Sequence, residues 1–205
     1  MKRFNGRLIF SVLLTGIFIL SGTRPAWCDE QEWKDMNMKA RELFSQGKPA
    51  EAIKIAEESL AYARKNLGEK HETVGKSLNN IGVLYFTQNN LTEARRLFDE
   101  AMAHYEKNFG PEYVQIADTL VNRGRLHMMQ QQLSEAMSDL ERALKIREKV
   151  NGPENPEAGA ILVVLMQVYQ AMGLQAEALE ARDRAQKIAA SLQQKGGGIG
   201  GGGGN

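Results

Sequence analysis

Cysteine occurs once in the 205 residues, at Cys28, so the chain can form no internal disulfide and no thiolate metal cage. Its three histidines, His71, His104 and His127, are too few and too scattered for a metal site or a catalytic triad. No apolar run approaches the roughly 20 residues that a bilayer-spanning helix needs; the longest charge-free one, Leu8 to Leu20, has 13. Aromatic residues make up 7% and prolines number five, whereas Ala, Glu, Leu and Gln are abundant, a composition that favours helix. No strand signal competes, because the one Val/Ile-rich run, Ile161 to Val164, falls within a helical register. The charge is nearly balanced, at +1.

That balance conceals an asymmetry. Lys2, Arg3, Arg7 and Arg24 lie within the first 28 residues, which hold no acid, and the rest carries 22 basic against 25 acidic residues. A mildly acidic body lacks the basic footprint that non-specific nucleic-acid binding requires. The first 28 residues have the organisation of an export signal. A basic start precedes the apolar run, a polar stretch is broken by Pro25, and Ala26-Trp27-Cys28 places small residues at −3 and −1 for cleavage after Cys28. Cleavage there leaves a thiol-free protein. The alternatives are an uncleaved anchor or acylation of Cys28, although Trp27 and Pro25 stand where a lipoprotein signal usually has a small and an aliphatic residue.

The remainder repeats every 42 residues. Glu51-Ala52, Glu93-Ala94, Glu135-Ala136 and Glu177-Ala178 keep this spacing, as do Leu67-Gly68, Phe109-Gly110 and Asn151-Gly152. Ser59, Ala101, Ala143 and Ala185 form a third column, and Leu43, Tyr85, His127 and Tyr169 a fourth. Each unit reads as two helices. Leu78, Ile81, Gly82 and Tyr85 share one helix face; Gln88-Asn89-Asn90 interrupts it; Thr92 is expected to cap the next helix. Ala94, Phe98, Ala101 and Met102 line that second helix, which Phe109-Gly110-Pro111 ends. Small residues at 94 and 101 fit a close approach of two antiparallel helices.

The run Leu78-x-x-Ile81-Gly82-x-x-Tyr85 followed by Ala94-x-x-x-Phe98 resembles the tetratricopeptide repeat. The 42-residue pitch, with Leu67-Gly68, His71 and Ser77 to Tyr85, is similar to the kinesin-light-chain variety. The resemblance implies an all-α, right-handed superhelix of four helix-turn-helix units, eight helices in all, over about residues 29–68, 69–110, 111–152 and 153–194. Residues 1–28 form the signal and 195–205 a flexible glycine-rich tail. Ala40 and Met166 replace the glycine of the Gly82 column. The last helix has Arg182 and Gln186 where earlier units are mostly apolar, as a solenoid cap requires.

Motifs with chemical potential dissolve on inspection. Gly196-x-Gly198-x-x-Gly201 lies in a glycine run rather than between a strand and a helix, and His71-Glu72 has Gly75 where a zinc motif needs its second histidine. His104 and His127 sit in packing columns, and Glu57-Glu58, Asp99-Glu100 and Asp139-Glu141 read as solvated faces. No catalytic residue, metal ligand or cofactor is implied. The resemblance implies a protein or peptide partner bound on a concave face lined by the first helices. The positions turned there are Asn37, Asn79, Val121 and Val163; Arg41, Val83, Arg125 and Gln167; and Asn80 and Asn122. Asparagine amides offer a donor and an acceptor to a peptide backbone, and the arginines suit acidic groups. The expected contact residues are Asn37, Arg41, Asn79, Asn80, Val83, Asn122, Arg125 and Gln167.

Overall fold

The computed structural model describes residues 26–197. Residues 1–25 of the expected signal and 198–205 of the expected tail lie outside it. Among the described residues there are eight α-helices and no strand: α1 Ala26–Ser45, α2 Pro49–Tyr62, α3 Glu72–Thr87, α4 Leu91–Phe109, α5 Val114–Met129, α6 Leu133–Asn151, α7 Pro156–Met172 and α8 Gln175–Gly197. α2 continues as one π turn, Ala63–Leu67. Short connections fold the helices into four antiparallel pairs. None of the described helices is long and apolar enough to cross a membrane.

The repeated sequence columns have separate physical tasks. Glu51, Glu93, Glu135 and Glu177 all lie in the first turn of a second helix, where a carboxylate meets the positive end of the helix dipole. The alanine after each is buried, fully at Ala52, Ala94 and Ala136. Gly68, Gly110 and Gly152 take positive φ of 104°, 93° and 84°, a conformation that stops the second helix and that L side chains rarely adopt. Asn90, not Thr92, caps α4: its Oδ1 accepts from Glu93 N at 3.3 Å, so the helix starts two residues earlier than expected. The β-branched run 161–164 is helical within α7, because burial of Ile161, Leu162 and Val164 outweighs its modest propensity cost.

Inside each pair, two columns compensate in size. A Cβ built on Gly82 would come within 2.7 Å of the Phe98 ring, and one on Gly124 within 3.0 Å of Leu140. Where the first helix has Ala40, the facing residue of α2 shrinks to Ala56. In the last pair Met166 fills the space and Arg182 turns out to solvent. Met166 thus belongs to the same rule as the glycines.

Successive pairs are fastened in two layers. Across the second helices, Arg64 meets Glu100 at 3.0 Å, Glu106 meets Arg142 at 2.6 Å, and Glu148 meets Arg184, each 36 residues apart. Across the first helices, Trp33 Nε1 donates to Ser77 Oγ at 2.8 Å, Asn80 Nδ2 to Asn37 Oδ1 at 3.0 Å, and Asn122 Nδ2 to Asn79 Oδ1 at 3.0 Å. Both outer faces of the array are polar. α1 exposes Asp35, Lys39 and Glu42, whose equivalents Ser77, Ile81 and Leu84 are buried one pair along. α8 exposes Arg182 and Gln186 where Phe98 and Met102 are buried.

Candidate partner-binding face

The face formed by α1, α3, α5 and α7 carries the expected contact residues. Arg41, Arg125 and Gln167 are exposed, and Val83, Asn79, Asn80 and Asn122 are half-buried. Two depressions gather most of them. One, between α1 and α3, has a volume of about 190 Å³ and is lined by Asn37, Arg41, Phe44, Asn80, Val83 and Thr87. The other, between α5 and α7, holds about 330 Å³ against Asp118, Val121, Asn122, Arg125, Arg147 and Ile161. Asn79 and Gln167 line neither. Arg147 is drawn into an ion pair with Asp118, whereas among the described residues Arg41 and Arg125 have no protein partner. Lys34 and Arg41 lie at one end of this face; the other end presents Val163, 43% exposed.

Asn37 corrects an expectation. It is 4% exposed and its amide is committed to the fold: Nδ2 donates to Trp33 O at 2.8 Å and Ser59 Oγ at 2.7 Å, while Oδ1 accepts from Asn80. It supports the face rather than presenting a free contact. The ladder also divides the remaining capacity. Asn79 Nδ2 is left as a donor, and the side-chain oxygens of Asn80 and Asn122 as acceptors, with no protein partner among the described residues.

A second correction concerns the acids. Asp139, expected on a solvated face, is 6% exposed. It forms a two-pronged pair with Arg123, Nε to Oδ2 at 2.8 Å and Nη2 to Oδ1 at 2.6 Å, and Arg123 reaches on to Asp99 at 2.6 Å. Burial alone would lower the Arg123 pKa, but the Asp139 and Asp99 carboxylates raise it on balance. His127 is buried beside this pair, with Nδ1 2.8 Å from Gln132 Oε1 and Nε2 3.6 Å from Asp139. His104 is half-buried; Nε2 lies 3.0 Å from His71 O and burial lowers its pKa. The described residues contain no cluster of three or more His, Cys, Asp or Glu that could hold a metal ion.

The second-helix side has its own depression of about 190 Å³, over Leu162 and Leu165 and rimmed by Glu141, Glu177, Glu180 and Lys145. There Tyr169 OH donates to Glu141 at 2.9 Å, and burial together with that carboxylate pushes the Tyr169 pKa up to about 12. At the start of α1, Cys28 is half-buried and Asp29 accepts a hydrogen bond from Tyr62 OH at 2.7 Å, so the expected cleavage point lies within the first helical turns.

Known proteins share this architecture. A sequence profile of the tetratricopeptide repeat matches residues 36–107 and 115–191. No curated protein matches the chain by sequence. Among solved structures, BtubC (BKLC) of P. vanneervenii superposes with a TM-score of 0.71 at 23% identity, covering 80% of this chain and 66% of its own. A Podosopora anserina protein of kinesin-light-chain type, with nearly identical TPR-like repeats, gives 0.64 at 25% identity over 79% of this chain and 76% of its own. A Rap protein complexed with competence and sporulation factor gives 0.69 at 19% identity over 80% of this chain and 44% of its own. The likenesses at 23% and 19% speak for the fold alone.

Proposed function

This chain belongs to the tetratricopeptide repeat family, a family of protein–protein interaction scaffolds, and we propose that it is an exported, periplasmic scaffold holding an extended, acidic segment of a partner protein on the α1-α3-α5-α7 face. The observation that carries this reading is the state of that face. It combines the guanidinium groups of Arg41 and Arg125, unpaired among the described residues, with the amide groups left over from the asparagine ladder, in a chain whose body is mildly acidic. A carboxylate satisfies the arginines, and a peptide backbone satisfies the donor at Asn79 and the acceptors at Asn80 and Asn122. Export rests on the basic start, the apolar run and the small residues around Ala26 to Cys28.

The test pairs the wild-type chain with Asn79→Asp/Arg125→Gln as bait against an envelope extract, with circular dichroism verifying both folds. Asp at 79 keeps an oxygen that accepts from Asn122, removes the donor offered to a ligand and adds a negative charge that repels an acidic one. A partner captured by the wild type, cross-linked to α3 and α5 and lost by the variant supports the reading. Capture equal in both removes the face as the site.

A second reading has one observation in its favour. α1 runs unbroken from Ala26 through the expected cleavage point, with Asp29 bonded to Tyr62. A chain that keeps its leader, or carries a lipid on Cys28, would be an assembly factor held at the membrane. The mass of the protein isolated from its native source separates the two.

A further inference from the structure

The ladder that joins the first helices is incomplete. α1 and α3 are linked by Trp33–Ser77 and Asn37–Asn80, and α3 and α5 by Asn79–Asn122 and by Tyr113 OH donating to Glu72 at 2.5 Å. Between α5 and α7 the positions equivalent to a rung hold Val121 and Val164, whose side chains cannot hydrogen-bond, and among the described residues no hydrogen bond or ion pair joins these two helices. The gap there is also larger, about 330 Å³ against 190 Å³ between α1 and α3. The second-helix layer is not weakened in the same way: Glu148 still pairs with Arg184, and α7 is itself tied to the second helix α6 by Tyr169 OH, which donates to Glu141 at 2.9 Å.

We propose that the α5–α7 junction is a hinge, by which the α7–α8 pair swings about its second-helix fastenings and opens or closes the depression beside Arg125. Apolar packing at such a junction resists separation but sets no direction, so small sliding and rotation cost little. A hydrogen bond between two amides fixes both distance and angle. The fastened side therefore acts as the pivot and the unlatched side as the moving edge. The closing edge brings Ala160 and Ile161 towards Val121 and Arg125. The inference concerns the free chain and stands whether or not the acidic-segment reading does.

Electron–electron dipolar spectroscopy on the full chain tests it. With Cys28→Ser as background, nitroxides are placed at Arg125→Cys/Gln167→Cys across the proposed hinge. A second sample carries them in the same column two junctions earlier in the array, Arg41→Cys/Val83→Cys. The expected result is a distance distribution wider for 125–167 than for 41–83, with the excess lost when Val121→Asn/Val164→Asn installs the missing rung. Equal widths in the two starting samples overturn the hinge, whatever the rung variant does. An excess width that survives in a folded rung variant overturns the assignment to the missing hydrogen bond.

Discussion

Asn80 donates its side-chain amide to Asn37 at 3.0 Å, and one repeat along Asn122 does the same to Asn79 at the same distance. The two residues of each rung are 43 positions apart, one repeat plus one. A ladder of this offset couples α1 to α3 and α3 to α5 through consecutive columns rather than through one column. Asn37 carries the most, since it also bonds Trp33 O and Ser59 Oγ while nearly fully buried. Asn37→Ala strands several buried partners and is expected to destabilise the chain by about 2–3 kcal/mol. Asn122→Ala, at a half-buried site, should cost about 1 kcal/mol or less. Urea unfolding of the two variants against wild type measures the difference.

The 42-residue period made the helix pairs legible because burial repeats with it: the alanines at 52, 94, 136 and 178 and the helix-ending glycines have one environment each. The candidate face could be drawn as a set of columns, and Arg41 and Arg125 of those columns are exposed on it. Column reasoning failed at Asn37 because a register that averages over four units hides a contact made in only two of them, at an offset of 43. It failed at Asp139 because the residue that makes burial tolerable, Arg123, lies 16 positions away on another helix. A carboxylate on a helix looks solvated until its cation is placed. The cap at Asn90 was missed for a smaller reason. Both Asn90 and Thr92 are capable caps, and the choice between them depends on where the chain turns.

The size rule between Gly82 and Phe98 has a direct consequence. A methyl group at 82 would meet the Phe98 ring at 2.7 Å in a fully buried contact. Gly82→Ala gains about 1 kcal/mol of helix propensity but loses about 1–3 kcal/mol to overpacking, so a net loss is expected. In a Phe98→Leu background the loss should shrink, because the smaller side chain leaves room. A double-mutant cycle on thermal unfolding reads this coupling, and additivity of the two changes would contradict it.

The Arg123–Asp139 pair joins α5 to α6 beside the proposed contact residue Arg125. Removing Asp139 leaves Arg123, in a largely buried place, with only the exposed Asp99 as its partner. Asp139→Ala is expected to cost about 3 kcal/mol, and Asp99→Ala, at the exposed end of the same arginine, about 1 kcal/mol or less. Equal effects in guanidinium unfolding would show that burial does not set the strength of this network.

Glu72 provides a pH signature. Burial raises its pKa, but the hydrogen bonds from Lys76 and Tyr113 outweigh burial and hold it below the usual carboxylate range. A carboxyl whose pKa is depressed on folding adds stability above its unfolded pKa, and that stability is lost as the pH falls through the folded value. The stability difference between wild type and Glu72→Gln should therefore be constant near neutrality and close as the solution is acidified below about pH 4. A difference that grows on acidification would reverse the sign of the argument.

The two ends of the array bear on assembly. At interior junctions the column of Phe98 and Leu140 and that of Met102 and Leu144 are buried, but on α8 the same columns hold exposed Arg182 and Gln186. Converting both to leucine would create an apolar strip at the place where a further repeat would stack, and such strips on a solvent-facing helix drive association. α1, however, presents Asp35, Lys39 and Glu42 on its own outward face, so the new strip cannot dock well against the start of another copy. It should pair with itself, two copies meeting α8 to α8. Arg182→Leu/Gln186→Leu is thus expected to form a closed dimer by light scattering while the wild type does not use this face. Open-ended oligomers growing with concentration would instead mean that the polar face of α1 does not exclude a stacked neighbour.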